Sequence, residues 1–159
     1  MKITLFAVGA LKDPAYREIE AHYLKLLSRY GAAEVREIKD EKLGPKRLSG
    51  AAREKAVEAE GARLLDALPE RSYLVCLDVG GKERSSEDLA KWLGEQTHRG
   101  HGLSFAIGGP LGLPESVRAR SRERLSLGKI TLPHQMARVV LLEQLYRAWT
   151  ILKGETYHY

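Results

Sequence analysis

Three stretches of the chain bring together residue types able to hold or transform a small molecule. The first, Gly108-Gly109-Pro110-Leu111-Gly112-Leu113-Pro114, directly follows an apolar run over 103–107. Its three glycines let backbone approach a ligand closely, and its two prolines stiffen the loop. The spacing matches neither GxGxxG nor Walker A, which disfavours a phosphate-cradling nucleotide site. A tight strand-to-helix turn is the plainer explanation on spacing alone. The second stretch is Leu125-Ser126-Leu127-Gly128-Lys129-Ile130-Thr131-Leu132-Pro133-His134. Exposed amides and carbonyls flanked by aliphatic side chains would suit a flat heterocycle; an ordinary strand-to-helix connection would also look like this. The third is the polar and aromatic tail, Glu155-Thr156-Tyr157-His158-Tyr159. Tyr157 and His158 carry groups that stack on or hydrogen-bond a base, although isolated terminal residues of these types are more often inert.

A fourth feature is charge. Residues 115–124, Glu-Ser-Val-Arg-Ala-Arg-Ser-Arg-Glu-Arg, form a basic run. On a helix Arg118 would align with Arg122 and Arg120 with Arg124, giving two cationic ridges suited to phosphate contacts. A solvated surface face is the competing explanation. His98 and His101 lie in a Gly-rich turn and His22 stands alone, so no metal-ligand spacing occurs and no metal is expected. There is no GxSxG motif. Cys76, the single cysteine, lies inside the apolar run Tyr73-Leu74-Val75-Cys76-Leu77. It reads as a small core residue, rules out an internal disulfide framework, and fits a reducing cytoplasm.

The elements needed to position these stretches alternate in type. Residues 3–8 read as a buried strand closed by Gly9, rather than as the core of a signal peptide. Asp13-Pro14 opens a helix reaching about residue 30. A half-buried strand follows at 35–38, then an Ala- and Glu-rich helix over 46–68 that Gly61 weakens by up to about 1 kcal/mol. Residues 72–79 form the best central strand, expected to stop at Gly80-Gly81-Lys82. Ser85 and Asp88 open the next helix. Strand 103–107, a short helix, a strand at 125–127 and a long helix over 135–152 complete the order. That last helix is apolar around most of its circumference, so it must be buried on more than one side, by its own core or by a second subunit. Strand–helix alternation predicts a single α/β domain over 1–159 with a largely parallel sheet.

Composition agrees and bounds the possibilities. The chain has 159 residues, 43% hydrophobic and 30% charged, with 26 Lys and Arg against 21 Asp and Glu. These are soluble globular proportions, and no apolar run approaches the roughly 20 residues of a membrane span. The net charge of +5 lies mainly in the second half, where residues 81–159 carry 12 basic and 8 acidic groups. A polyanionic partner is one explanation for this bias and simple solubility is another.

Taken together, Phe105-Ala106-Ile107-Gly108-Gly109-Pro110-Leu111-Gly112, Ile130-Thr131-Leu132-Pro133-His134 and Leu145-Tyr146-Arg147-Ala148-Trp149…Gly154…Tyr157-His158 resemble the ribosomal large-subunit pseudouridine N3-methyltransferases. These form a small bacterial branch of the knotted SPOUT methyltransferases. The resemblance begins at Lys2-Ile3-Thr4-Leu5…Ala7-Val8-Gly9 and runs essentially the whole chain.

The resemblance implies S-adenosylmethionine as methyl donor, a homodimer, a C-terminal trefoil knot, and a pseudouridine in 23S rRNA of assembled ribosomes as substrate. The family's donor-binding positions fall on Leu77, Gly108, Leu127, Gly128, Lys129, Ile130, Thr131 and Leu132. Where the family commonly places Arg or Lys after Tyr-His, this chain has Tyr159. Methylating an imide nitrogen requires alignment with the donor and loss of one proton. His134 and His158 are the candidate bases, with an ordinary pKa near 6.5. Tyr157 is the candidate to position the base, and Arg138 the candidate to stabilise charge on the uracil carbonyls. The competing functions are another SPOUT activity on tRNA, or a non-catalytic ribosome-binding protein on the same scaffold.

Overall fold

Ile3, Leu5 and Ala7 of strand β1 (Ile3–Val8) pack into one hydrophobic cluster, while Phe6 and Val8 pack into another. Successive side chains of a strand point to opposite faces, so β1 must be covered on both sides. The computed structural model, which describes residues 1–42 and 49–158, provides that cover with three layers. The other strands are β2 (Ala33–Ile38), β3 (Tyr73–Glu83), β4 (Leu103–Ile107) and β5 (Glu123–Ser126). All pair in parallel, in the order β2-β1-β4-β3-β5. Helices α1 (Pro14–Leu27), α3 (Ser86–His98) and α5 (His134–Lys153) contribute to the first cluster; α2 (Gly50–Ala67) and α4 (Glu115–Arg120) contribute to the second. The expected single α/β domain with a parallel sheet is what the chain forms. No helix among the described residues is long and apolar enough to cross a membrane.

Local chemistry explains the helix boundaries. Asp13 caps α1 by accepting the Ala15 N–H at 2.8 Å, with Pro14 in the first turn. Ser85 caps α3 by accepting the Asp88 N–H at 3.1 Å. Ser49 caps α2 by accepting the Ala52 N–H, ahead of Gly50; residues 46–48 of the expected helix lie outside the described residues. Within α2, Gly61 has a packing reason. A Cβ there would stand 2.2 Å from the Pro114 ring, so the glycine lets α2 approach the start of α4. Helix α5 carries fully buried Leu141, Leu142, Leu145 and Ala148, and Gly154 ends it at φ 66°. Cys76 is a free, fully buried thiol whose pKa burial pushes up, as befits a core residue.

Two expectations about the edge of the sheet are corrected. Strand β3 does not stop at Gly80 but continues to Glu83, with its register on β5 shifting between Leu77 and Lys82, both of which align with Leu125. Gly81 permits this because a Cβ there would lie 2.7 Å from the Arg124 carbonyl carbon. The glycines that look like a strand stop serve the close approach of two backbones. The basic run, in turn, is not one helix. Helix α4 ends at Arg120, Ser121 takes extended backbone, and Arg122 N–H bonds to the Leu74 carbonyl at 2.8 Å as the chain enters β5. Strand β5 thus begins at Glu123, two residues before the expected start. Arg118–Arg122 and Arg120–Arg124 therefore form no helical ridges.

Candidate active site

The middle of β3, at Leu77, Asp78 and Val79, and the carboxyl ends of β4 and β5 open on one cavity of about 610 Å³, within the usual size of small-molecule sites and at the usual end of a parallel sheet. Leu77 stands where β3 loses its regular register on β5, and Gly108 is the first residue after β4. The loop after Gly108 is tight: Gly112 N–H bonds to the Gly109 carbonyl at 2.9 Å, and a Cβ on residue 108 would meet the Gly112 carbonyl carbon at 2.5 Å. Opposite, Ser126 pins the turn after β5. Its hydroxyl accepts the Gly128 N–H at 3.2 Å and donates to the Gly128 carbonyl at 3.0 Å, while Gly128 adopts φ 124°. Leu127, Gly128, Ile130, Thr131 and Leu132 line the cavity from this side, together with Leu77 and Gly108. Of the expected donor-binding positions only Lys129 is not part of the lining.

Among the described residues, three ionisable ones also line the cavity: Asp78, Arg118 and His134. His134 begins α5, and burial lowers its pKa, with Arg138 adding to the effect and Asp40 opposing it. The net effect favours the neutral imidazole. Asp78 lies in the irregular part of β3 and was not singled out from sequence. Its carboxylate accepts the Gly80 N–H at 2.9 Å and the Arg118 Nε–H at 3.0 Å, and these contacts hold its pKa below the ordinary range. Its only sequence signal was position, just past a buried strand.

The other expected catalytic residues lie elsewhere. Arg138 is 3% exposed, with Nε and Nη2 bonded to Glu20 and Nη2 also, at 3.0 Å, to Glu37. Glu37 also accepts the Leu11 N–H at 3.1 Å, so the guanidinium ties α5 to α1, β2 and the loop after β1. Its Nε and Nη2 are turned to two carboxylates, and Arg138 is not among the residues that line the cavity. Tyr157 and His158 fold back on their own α5. The Tyr157 hydroxyl reaches Glu143 at 3.2 Å and Tyr23 at 3.5 Å, and its ring packs edge-on against Tyr146. Burial and these partners push its hydroxyl pKa up, so it stays protonated. His158 bonds through Nε2 to Glu87 at 2.8 Å, and its Nδ1 lies 3.4 Å from Arg147. Glu143 and Arg147 thus form the seat of the tail, and neither was singled out from sequence. Glu143 is nine residues beyond His134, about 14 Å along the helix axis, so the tail does not touch the cavity of its own chain. Tyr159 lies outside the described residues.

The residues present suit an adenosyl donor: backbone edges for a heterocycle, aliphatic walls for its faces, and a charged pair at one side. The family model described as "Predicted SPOUT methyltransferase" matches residues 1–158, and the chain belongs to this family. Among its relatives, a protein named "Ribosomal RNA large subunit methyltransferase H" from Pelotomaculum thermopropionicum is 47% identical over 158 residues, covering 99% of this chain and 98% of the relative. Proteins of the same name from Carboxydothermus hydrogenoformans and Limosilactobacillus reuteri are 45% and 44% identical over 159 residues, each alignment covering 99% of both chains.

Proposed function

We propose that this chain transfers a methyl group from S-adenosylmethionine to N3 of a pseudouridine in 23S rRNA, acting on assembled ribosomes in the cytoplasm as a knotted homodimer. The observation that carries this reading is the convergence of Leu77, Gly108, Leu127, Gly128, Ile130, Thr131 and Leu132 on one cavity. Relatives named for methylation of large-subunit ribosomal RNA support the substrate class. When bound, the donor supplies a methyl group already activated on a sulfonium sulfur. The chain's own work is alignment and removal of the imide proton. Backbone around Gly108 and Gly128 holds the heterocycle, and the neutral His134 imidazole accepts the proton.

The tail completes the site from the other subunit. Tyr157 and His158 are held by Glu143 and Arg147 of α5 and by Glu87 of α3, away from their own cavity. Ile19 on α1 and Met136 on α5 are exposed apolar side chains on the helix layer that also carries the tail. Val79 and Ile130, 70% and 80% exposed, line the cavity. Both features suit a second copy seated with its tail over the opening.

The test is methyl transfer from labelled donor to intact ribosomes, separated large subunits, naked ribosomal RNA and tRNA, with nucleosides then identified by mass. The expected product is an N3-methylated pseudouridine, formed best on intact ribosomes. Preferential labelling of tRNA would overturn the substrate assignment. Ribosome binding without donor binding or transfer would leave only the non-catalytic alternative.

A further inference from the structure

Among the described residues, the Asp78–Arg118 pair is the only ion pair between side chains of residues that line the cavity, and the chemistry of the two partners is unequal. Asp78 is saturated. Its side chain is 12% exposed, one oxygen accepts the Gly80 N–H, and the other accepts from Arg118 with Arg124 at 3.7 Å. Arg118 is not saturated. A guanidinium has five N–H donors, and Asp78 takes only the one on Nε. Its other ionic contact is Glu115 at 3.9 Å, a side chain 80% exposed and beyond hydrogen-bond reach. Arg118 thus lines the cavity with its Nε held by Asp78, while its Nη1 and Nη2 have no hydrogen-bond partner among the described residues. A planar guanidinium fork matches a carboxylate in two-point geometry.

An S-adenosyl donor carries one anionic group, the α-carboxylate of its amino-acid end. We propose that Arg118, oriented by Asp78, receives that carboxylate, so that the pair forms the donor's amino-acid subsite. This rests on the cavity being the donor site. Asp78 is the positioning residue and also offsets the repulsion that an unaccompanied arginine would exert on the sulfonium and ammonium charges. The arginine that a linear reading places in an RNA-binding ridge belongs by its geometry to the donor.

The experiment is a binding cycle on the full-length protein that needs no turnover. Titration calorimetry measures S-adenosylhomocysteine and its decarboxylated analogue, which lacks only the carboxylate, against wild type, Arg118→Met and Asp78→Asn. Wild type should prefer the carboxylate-bearing ligand by about 10- to 100-fold, the range of a charge-assisted contact. Arg118→Met should lose that preference to within about 2-fold while binding the decarboxylated analogue as wild type does. Asp78→Asn, which keeps one acceptor oxygen in place of two and loses the charge, weakens the hold on Arg118 and should keep only part of the preference. Equal loss of both ligands in Arg118→Met would show a structural role and overturn the subsite. So would an unchanged preference, and if ribosome affinity then fell with a flatter salt dependence, the arginine would belong to an RNA phosphate instead. Wild type binding neither ligand would refute the donor site itself, an outcome distinct from both.

Discussion

Replacing Gly108 by alanine tests whether the glycine loop is closed on itself or merely open to ligand. The added Cβ would lie 2.5 Å from the Gly112 carbonyl carbon, 2.7 Å from its oxygen and 2.9 Å from the Leu113 nitrogen. Carbon contacts are comfortable at about 3.5 Å, so loop or strand must yield by close to 1 Å. The loop has little room, since Gly109 already packs against Val8. Overpacking of this kind costs about 1–3 kcal/mol. In a domain of this size each kcal/mol lowers Tm by about 2–4 °C, so Gly108→Ala should melt about 2–12 °C below wild type. If the donor binds only to the loop in its native position, the same energy is lost from binding, about 5- to 150-fold in Kd for S-adenosylhomocysteine. Gly100→Ala is the control. Its φ of 72° disfavours alanine, but nothing lies within 4 Å of the new carbon, so it should cost about 1 kcal/mol of stability with ligand affinity intact. Scanning calorimetry and ligand titration read the two effects separately. A Gly108→Ala protein with wild-type Tm and wild-type affinity would refute the reasoning.

Three further outcomes follow from other parts of the structure. Deleting residues 157–159 should abolish methyl transfer while sparing donor binding, and mixing that protein with full-length Gly108→Val subunits should restore about one working site per dimer if the tail acts across the interface; a mixture that stays inactive points to action within one chain. Arg138→Met, which strands Glu20 and Glu37, should lower stability by about 3 kcal/mol, and a variant of normal stability with reduced transfer would return Arg138 to the substrate. Glu60 is 2% exposed, and burial raises its pKa, so the folded state holds its proton to higher pH than the unfolded chain. Wild type must therefore lose stability as pH rises from the ordinary carboxylate range through that raised pKa; Glu60→Gln should escape the loss, and denaturation curves parallel in pH for the two proteins would contradict this.

The parts of the molecule legible in the sequence are those governed by neighbours along the chain. Asp13-Pro14 and Ser85 mark helix starts by local hydrogen bonds, and the run 103–107 followed by glycines marks a buried strand and its loop. What escaped depends on contacts distant in sequence. Gly80-Gly81 looks like a strand stop, yet Gly81 is there to admit the β5 backbone at Arg124. Arg118 and Arg122 have helical spacing, but Ser121 turns the chain into β5, and the partner of Arg118 is 40 residues away. Arg138 resembles a substrate-binding cation until Glu20 and Glu37 are seen beside it, 118 and 101 residues distant. Tyr157 reaches Tyr23 across 134 residues. No periodicity encodes such pairs.

The strand order also sets a problem for synthesis. Strand β1 is hydrogen-bonded between β2 and β4, and Ile3 aligns with both Ala33 and Leu103. Translation delivers β3 before β4, although β4 must lie between β1 and β3. At about 5–20 residues per second, the open edge of β1 waits several seconds for its partner, with the apolar run of β3 already available as a wrong neighbour. Nascent chains halted near residue 100 should accordingly leave β1 amides on that edge open to hydrogen exchange, and early protection there would show that β3 had taken the vacant place. A native sheet then forms by insertion of its central strand, and mispairing of β1 with β3 is the error that the cell's chaperones would have to undo.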